Sequence, residues 1–569
     1  NWSPNGVPTS SDCVVVPASA NPPIISGTSY QAFAYSLTVQ NGGILTVNST
    51  NYITVTSTVN VISGGQFLIK NGASLIQTNN VANTGIVNIE RVTQPMYRYD
   101  YTYWGCPVTL ASNYTLGMLS PNTQPDKFYS WIPTTGANQF GTWQQESTAT
   151  VMNPIKGYIV RAPQTFSASS SSRVPYTANF IGTPNNGNIS CPIYHGTLVG
   201  NNNDKYNLLG NPYPSAVDAQ AFLTDPVNTP IIDGTIYFWT HNSEPSTAYV
   251  DPFYGDYVIN YNGSDFASWN SLGPVGSRGS AATTGGSAPN GYIGVGQGFF
   301  TRSTGSAPTG NSVIFKNSMR SSNNTQFYRT ASIVVGERQL RTTDDNEKHR
   351  IWINLISNSG VFSQILVGYV NGATTGWDRD YDGVRFIDAS SSCFYSIIPE
   401  QNLVIQGRPL PFENTDQIAL GLKTTVADTF SLRLDQFDGL FENQDIFIED
   451  KQLAIIHNLK QSPYIFSAEV GTFDNRFVLR FTDTALSINS NVTQNIFASI
   501  HNKTLEISAN DNIAKVEVFD MTGKLVVDYI SSGNTKKINE PFLHADGFYL
   551  AKIYMKNGNI TAKKLSAKN

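Results

Sequence analysis

A chain of 569 residues in which only 14% are charged, while 30 Phe, 28 Tyr and 46 Gly are present, favours strands and turns over helices. Its net charge of -5 is spread along the sequence with no basic block before the C-terminal tail, which argues against a nucleic-acid partner. No apolar run reaches the ~20 residues of a membrane helix, and the length calls for about three to five domains.

The first element is a repeat. Apolar pairs recur as Leu37/Val39, Leu45/Val47, Ile53/Val55, Val59/Val61 and Phe67/Ile69, followed by Leu75. Turns such as Asn41-Gly42-Gly43, Ser63-Gly64-Gly65 and Asn71-Gly72-Ala73 lie between them. Strands with two inward residues each cannot close a core alone and must stack on neighbours, which is the logic of a β-solenoid. The alternative is a plain antiparallel sandwich, but starts only 6 or 8 residues apart are tighter than sandwich spacing. Residues 1–88 are therefore expected to form β-solenoid-like repeats.

Residues 89–330 change to aromatic-rich segments that read as a β-sandwich or jelly roll. The one helical signal there is Ser215 with Asp218 to Leu223, after Pro212 and Pro214. Trp104, Trp131, Trp143, Trp239 and Trp269 fall in this module; a flat indole face beside Asn or Asp can stack on a pyranose ring, so surface glycans are candidate partners. The competing expectation is that these indoles fill the core. Residues 331–486 carry alternating runs such as Arg350 to Ile356, Phe362 to Val370 and Phe430 to Phe437, which predict a second sandwich.

Cys13, Cys106, Cys191 and Cys393 form no CxxC pair; they allow two disulfides, with Cys106 and Cys191 as the first choice, or four buried thiols. None of the six histidines stands in a zinc spacing, and no nucleophile elbow occurs, so a non-enzymatic protein is expected. Gly294, Gly296 and Gly298 read as a turn or bulge rather than a nucleotide loop. Asp378, Asp380 and Asp382, followed by Gly383, gather hard oxygens as a structural Ca2+ loop does. Ala389 stands where that loop needs a glutamate, with Asp388 as a substitute; the other reading is a turn whose carboxylates cap backbone amides.

The chain ends in a small β-module, 487–569, with strands at Thr504 to Ala509, Lys515 to Phe519, Lys524 to Ile530, Phe548 to Met555 and Asn559 to Ala567. A sharp turn runs from Asp520 to Gly523, and Asn557-Gly558 suits a tight hairpin. The stretches "VEVFDMTGKLV" and "GFYLAKIYMKNGNITAKKLSAKN" resemble the C-terminal sorting domain of proteins exported by the type IX secretion system of Bacteroidota. The matching positions are Asp520, Gly523 and Lys524, then Gly547 and Tyr549, then Asn557 and Gly558, then Lys563 and Lys564.

"YTYWGCPV", "NLLGNPYPSAVDAQAFL" and "GQGFFTRS", and the run from Asn443 to Phe481, likewise resemble modules preceding the sorting region in large flavobacterial surface proteins. The resemblance implies an Ig-like sorting sandwich, a secreted or cell-surface protein of adhesin or stalk type, and the translocon and its outer-membrane shuttle protein as partners. The alternative is an accessory glycan-binding part of a larger secreted carbohydrate-active enzyme. The chain opens with Asn1-Trp2-Ser3-Pro4 and no basic and apolar leader, so the resemblance also implies a processed product or a fragment of a longer precursor. Asp483-Thr484-Ala485 resembles the O-glycosylation acceptor of exported proteins of this phylum, with Thr484 as the modified residue.

Overall fold

Leu37 lies opposite Val59, Leu45 opposite Phe67 and Ile53 opposite Leu75, all in parallel register, so one coil of the opening repeat takes 22 residues. In the computed structural model, which describes residues 3, 5–135, 141–197, 205–240, 245, 261, 265–276, 288–324, 326–327, 347–386, 392–399, 401–483, 496–556 and 560–568, the repeat is a three-faced β-solenoid. One face holds Cys13–Val16, Ser36–Val39 and Val59–Val61; the second holds Ile24–Ile25, Ile44–Val47, Gln66–Ile69 and Val87–Val92; the third holds Gln31–Ala34, Tyr52–Val55 and Ser74–Gln77.

The glycine pairs explain the turns. Gly42 and Gly64 take φ of 74° and 87°, and a Cβ on Gly43 would sit 2.3 Å from the Val16 carbonyl oxygen of the preceding coil. Inward Leu37, Val39, Leu45, Val47, Ile53 and Val55 are all buried.

The solenoid does not close its own core. Val87–Val92 pairs antiparallel with Thr177–Gly182, and the core running from Val14 to Ile89 continues through Trp104, Tyr114, Phe128 and Phe180. The last coil's third face is capped likewise: the Leu75 amide donates to the Pro214 carbonyl at 2.9 Å, and the Leu75 carbonyl accepts from Arg320 Nη2 at 2.6 Å.

Two larger sheets form the sandwich of the aromatic-rich part, beside a two-stranded one of Ile189–Pro192 and Ser312–Phe315 and a three-stranded one of Tyr292–Ile293, Ala216–Asp218 and Arg320–Ser321. Tyr101–Trp104, Tyr158–Arg161, Phe128–Ile132 and Thr142–Gln145 make one, and Tyr206–Gly210, Gly298–Ser303, Ile232–Trp239, Phe266–Trp269 and Pro274–Val275 the other. Tyr103, Trp131 and Ile159 of the first pack on Tyr206, Tyr237, Trp239 and Phe300 of the second, the arrangement of a sandwich. The expected helical turn is the helix Ala219–Leu223, capped where Asp218 accepts from the Ala221 amide.

Residues 348–480 build one eleven-stranded sheet that folds over a shared core. Tyr464–Ala468 ends one side of it and Gly471–Arg480 lies near the other, yet Phe466 and Phe477 meet with ring centroids 4.8 Å apart. This sandwich interlocks with the preceding one. Trp352 Nε1 donates to the Pro274 carbonyl at 2.7 Å, Leu272 and Val275 pack on Leu366 and Val370, and Tyr237 donates to the Val384 carbonyl. The expected divisions at 88 and 330 therefore cross continuous cores.

The chain separates into two compact units, Asn1–Asp483 and Thr484–Asn569. The second has a three-stranded sheet, Phe497–His501, Thr504–Ser508 and Lys537–Pro541, and a four-stranded one, Leu525–Ile530, Ile513–Asp520, Gly547–Met555 and Ile560–Ala567. They enclose a core of their own that includes Leu505, Ile507, Val516, Val518, Ile538, Phe542, Ile553 and Leu565. The fold class is all-β throughout, with two short α-helices among the described residues.

Candidate functional site

Strand alternation in the C-terminal unit produces an unusual outer face. Along Gly547–Met555, Tyr549, Ala551, Ile553 and Met555 point into the core, which leaves Phe548 56% exposed and Leu550 46% exposed on the other side. Phe519 stands opposite both Leu550 and Leu525, and Leu550 stands opposite Lys564. Lys564 Nζ lies 4.7 Å from the Phe548 ring centroid. Met521, 73% exposed, and Lys524 extend this apolar and basic end into the adjoining turn.

Next to it runs a belt of paired charge. Lys515 reaches Glu517 at 2.7 Å and Asp528 at 3.1 Å, and Tyr554 donates to Glu517. The hydrogen bond from Lys515 holds the Glu517 carboxyl below its usual range.

The turn is built by Asp520. Its Oδ1 accepts from Thr522 Oγ1 at 2.6 Å, from the Thr522 amide at 2.9 Å and from the Lys524 amide at 3.1 Å, with the Thr522 hydroxyl the main cause of its lowered pKa. Gly523 takes φ of 83°, a left-handed conformation costly for any β-branched residue.

Of the proposed signal residues, Asp520, Gly523, Lys524 and Lys564 thus share this end of the sheet. Tyr549 does not; it is buried, donates to the Ala545 carbonyl and packs edge-on against Phe542. Lys563 pairs with Ala551 and so lies on the opposite side of its strand. A Cβ on Gly547 would meet nothing within 4 Å, so no close approach requires glycine there, but its φ of 159° is one that residues with a side chain rarely adopt. Asn557 and Gly558 lie outside the described residues, as do Thr484 and Asp388.

Other candidate residues take structural places. Trp104, Trp131, Trp239 and Trp269 are between 2% and 7% exposed, and half-buried Trp143 packs edge-on against Trp131. The four buried indoles fill cores because both faces of their strands are covered, which corrects the expectation of a stacking platform for them, while Trp143 lies on a strand that ends in exposed Gln144 and Gln145. All four cysteines are free; Cys106 and Cys191 lie in different cores, and burial pushes each thiol up to about 12. Gly294 and Gly296 turn the chain into the strand that starts at Gly298, where a Cβ on Gly296 would press on Phe180.

The three aspartates have separate tasks. Asp378 accepts from the Thr374 amide and hydroxyl, Asp380 pairs with Arg379, and Asp382 accepts from the Asp378 amide at 2.7 Å and the Gly407 amide at 2.8 Å. That is the amide-capping turn, and among the described residues no group of three or more His, Cys, Asp or Glu converges as a metal site would require. Asp382→Ala is therefore expected to cost about 1–3 kcal/mol by orphaning two amides. Asp380→Ala, at an exposed carboxylate, should change stability by no more than about 0.5 kcal/mol. Denaturant melts with and without added calcium check this; equal losses restored by calcium would instead make the three carboxylates one site.

The model of the family described as Domain of unknown function (DUF8693) matches residues 1–481, and that of Domain of unknown function (DUF8694) matches residues 485–566. No curated protein matches the chain. Among solved structures, CopC from Methylosinus trichosporium OB3b is 20% identical, over 12% of this chain and 83% of that one, with a TM-score of 0.10. A beta-1,2-glucanase from Parabacteroides distasonis is 10% identical over 32% of this chain and 36% of its own, also with a TM-score of 0.10. Tp47, the 47-kilodalton lipoprotein of Treponema pallidum, is 9% identical over 62% and 92%, with a TM-score of 0.12. Scores this low carry neither fold nor function across.

Proposed function

For this chain, which belongs to the DUF8693 family, we propose a non-enzymatic cell-surface or secreted protein, adhesin-like or stalk-like, exported across the outer membrane by the type IX secretion system. The observation that carries the reading is the separateness of the last unit: it has a closed core of its own, yet exposes an apolar and basic strand-and-turn face. A removable label needs those two properties, since it must fold whatever precedes it and must present a surface to the export machinery. Asp520, Gly523, Lys524 and Lys564 belong to that surface, and the translocon and its shuttle are its partners.

The first unit is the cargo. Its solenoid and two sandwiches share cores, which suits a spacer that holds its shape outside the cell. The alternative, an accessory glycan-binding part of a carbohydrate-active enzyme, loses most of the support it drew from the tryptophans, because four of the five are buried. Ending the polypeptide at Asp483 should leave a folded, protease-resistant cargo in the periplasm, read by cell fractionation. Cargo found on the surface at the level of the full chain would remove the reading.

A further inference from the structure

A cleft of about 370 Å³ opens in the middle of the first unit, between the end of Phe128–Ile132, the 153–156 loop and the strands Ile189–Pro192 and Tyr206–Gly210. Its wall is apolar and aromatic: Ile155, Leu208 and the edge of Trp131 line it, and Tyr194, 42% exposed, stands at its side. The indole is fixed, because Trp131 Nε1 donates to the Tyr206 carbonyl at 2.9 Å.

Two polar groups at this cleft lack partners among the described residues. Asn153 uses Oδ1 to accept from the Ile155 amide at 3.2 Å, and its side-chain NH2 donates to nothing. Among the residues lining the cleft Lys156 is the one that carries a charge at neutral pH, and its ammonium makes no ion pair among the described residues. Its charge is felt at Cys191 in the wall, against the burial that pushes this thiol up to about 12.

An apolar wall with an exposed phenol ring, one unused amide donor and one unused cation match a ligand with a flat carbon face, hydroxyls and one negative charge. We propose that this cleft binds an acidic sugar residue, a uronate unit of an anionic polysaccharide. Lys156 pairs with the carboxylate, Tyr194 packs on the pyranose face and Asn153 donates to a ring hydroxyl. The cleft holds one or two sugar units, and binding weakens with salt because the Lys156 pair lies at the mouth. The proposal does not depend on the export reading, since it concerns the first unit alone.

The test titrates the full chain with trigalacturonate and with maltotriose, followed by calorimetry and tryptophan fluorescence. Trigalacturonate should bind at least about tenfold more tightly than maltotriose, since a charge-assisted contact is at stake. Lys156→Gln should remove that preference, Lys156→Arg should keep most of it, and Tyr194→Ala should weaken both sugars. Lys156 and Tyr194 are exposed, so melting temperatures should stay near wild type and separate lost binding from lost folding. Three results overturn the proposal: no uronate binding by the folded chain, binding that Lys156→Gln leaves unchanged, or equally tight binding of hexanoate, which would make the cleft a site for aliphatic acids.

Discussion

Replacing Arg476 by leucine will lower the stability of the first unit by about 3–5 kcal/mol, the usual cost of orphaning a buried charge. Asp450 and Arg476 have side chains 0% and 4% exposed, and they meet at 2.8 Å. Arg476 Nε reaches the same carboxylate, Nη1 donates to the Ser467 carbonyl, and the guanidinium lies 4.8 Å from the ring centroids of both Phe466 and Phe477. Tyr464 and the amides of Gln452 and Leu453 complete the carboxylate's partners.

Burial alone would raise the Asp450 pKa, but the hydrogen bonds from Arg476 and Tyr464 outweigh it and the net direction is down. A depressed carboxyl pKa adds stability above its unfolded value, near 3.9, that is lost as pH falls through the folded value. Acid titration of the denaturation midpoint should therefore show a loss below about pH 4 that Arg476→Leu reduces. In the double variant Asp450→Leu with Arg476→Leu, part of the stability should return, because no charge is left unpaired.

Trp104→Ala should cost a comparable amount, about 3–5 kcal/mol, and should melt the solenoid together with the module that follows it. Trp104 is 2% exposed, packs on Phe180 and Phe327 at 6.0 and 5.0 Å, and sits in the core that the solenoid shares. Limited proteolysis under mild denaturant reads the consequence: cleavage should begin in both parts at the same denaturant concentration. A protected solenoid beside a digested module would mean that the cores are independent.

The solenoid was legible because two inward residues per short strand, with glycines between, leave a stacked coil as the way to bury them, and the Gly42-Gly43 and Gly64-Gly65 turns show what the glycines do. The helix at Ala219–Leu223 was legible from its Asp218 cap. For the tryptophans the residues left two readings, a stacking platform or the core, and the core reading holds for four of the five. In Phe128–Ile132 every residue but the last is buried, so alternation, the signal that separates inside from outside, is missing. The interlocked sandwiches were also hidden, because contacts such as Trp352 to Pro274 join residues far apart in sequence.

At the aspartates, alternate positions suggested one convergent face, but a turn sends the three carboxylates to different partners. The outer face of the last unit was partly readable: Phe548 and Leu550 are apolar at the positions where a half-buried strand would place polar residues. The cleft at Lys156 gave no sequence signal, since its wall comes from four separated segments.

The central claim is that the last unit is an export label, and the most direct measurement is transfer. A periplasm-directed reporter carrying residues 484–569 should reach the surface or the medium of a type IX-competent cell and stay in the periplasm of a translocon-deficient one. Gly523→Val, which forces a β-branched residue into the left-handed turn, should sharply reduce that export while leaving the reporter folded. A reporter that stays in the periplasm of the competent cell, or that leaves both cells equally, would contradict the account.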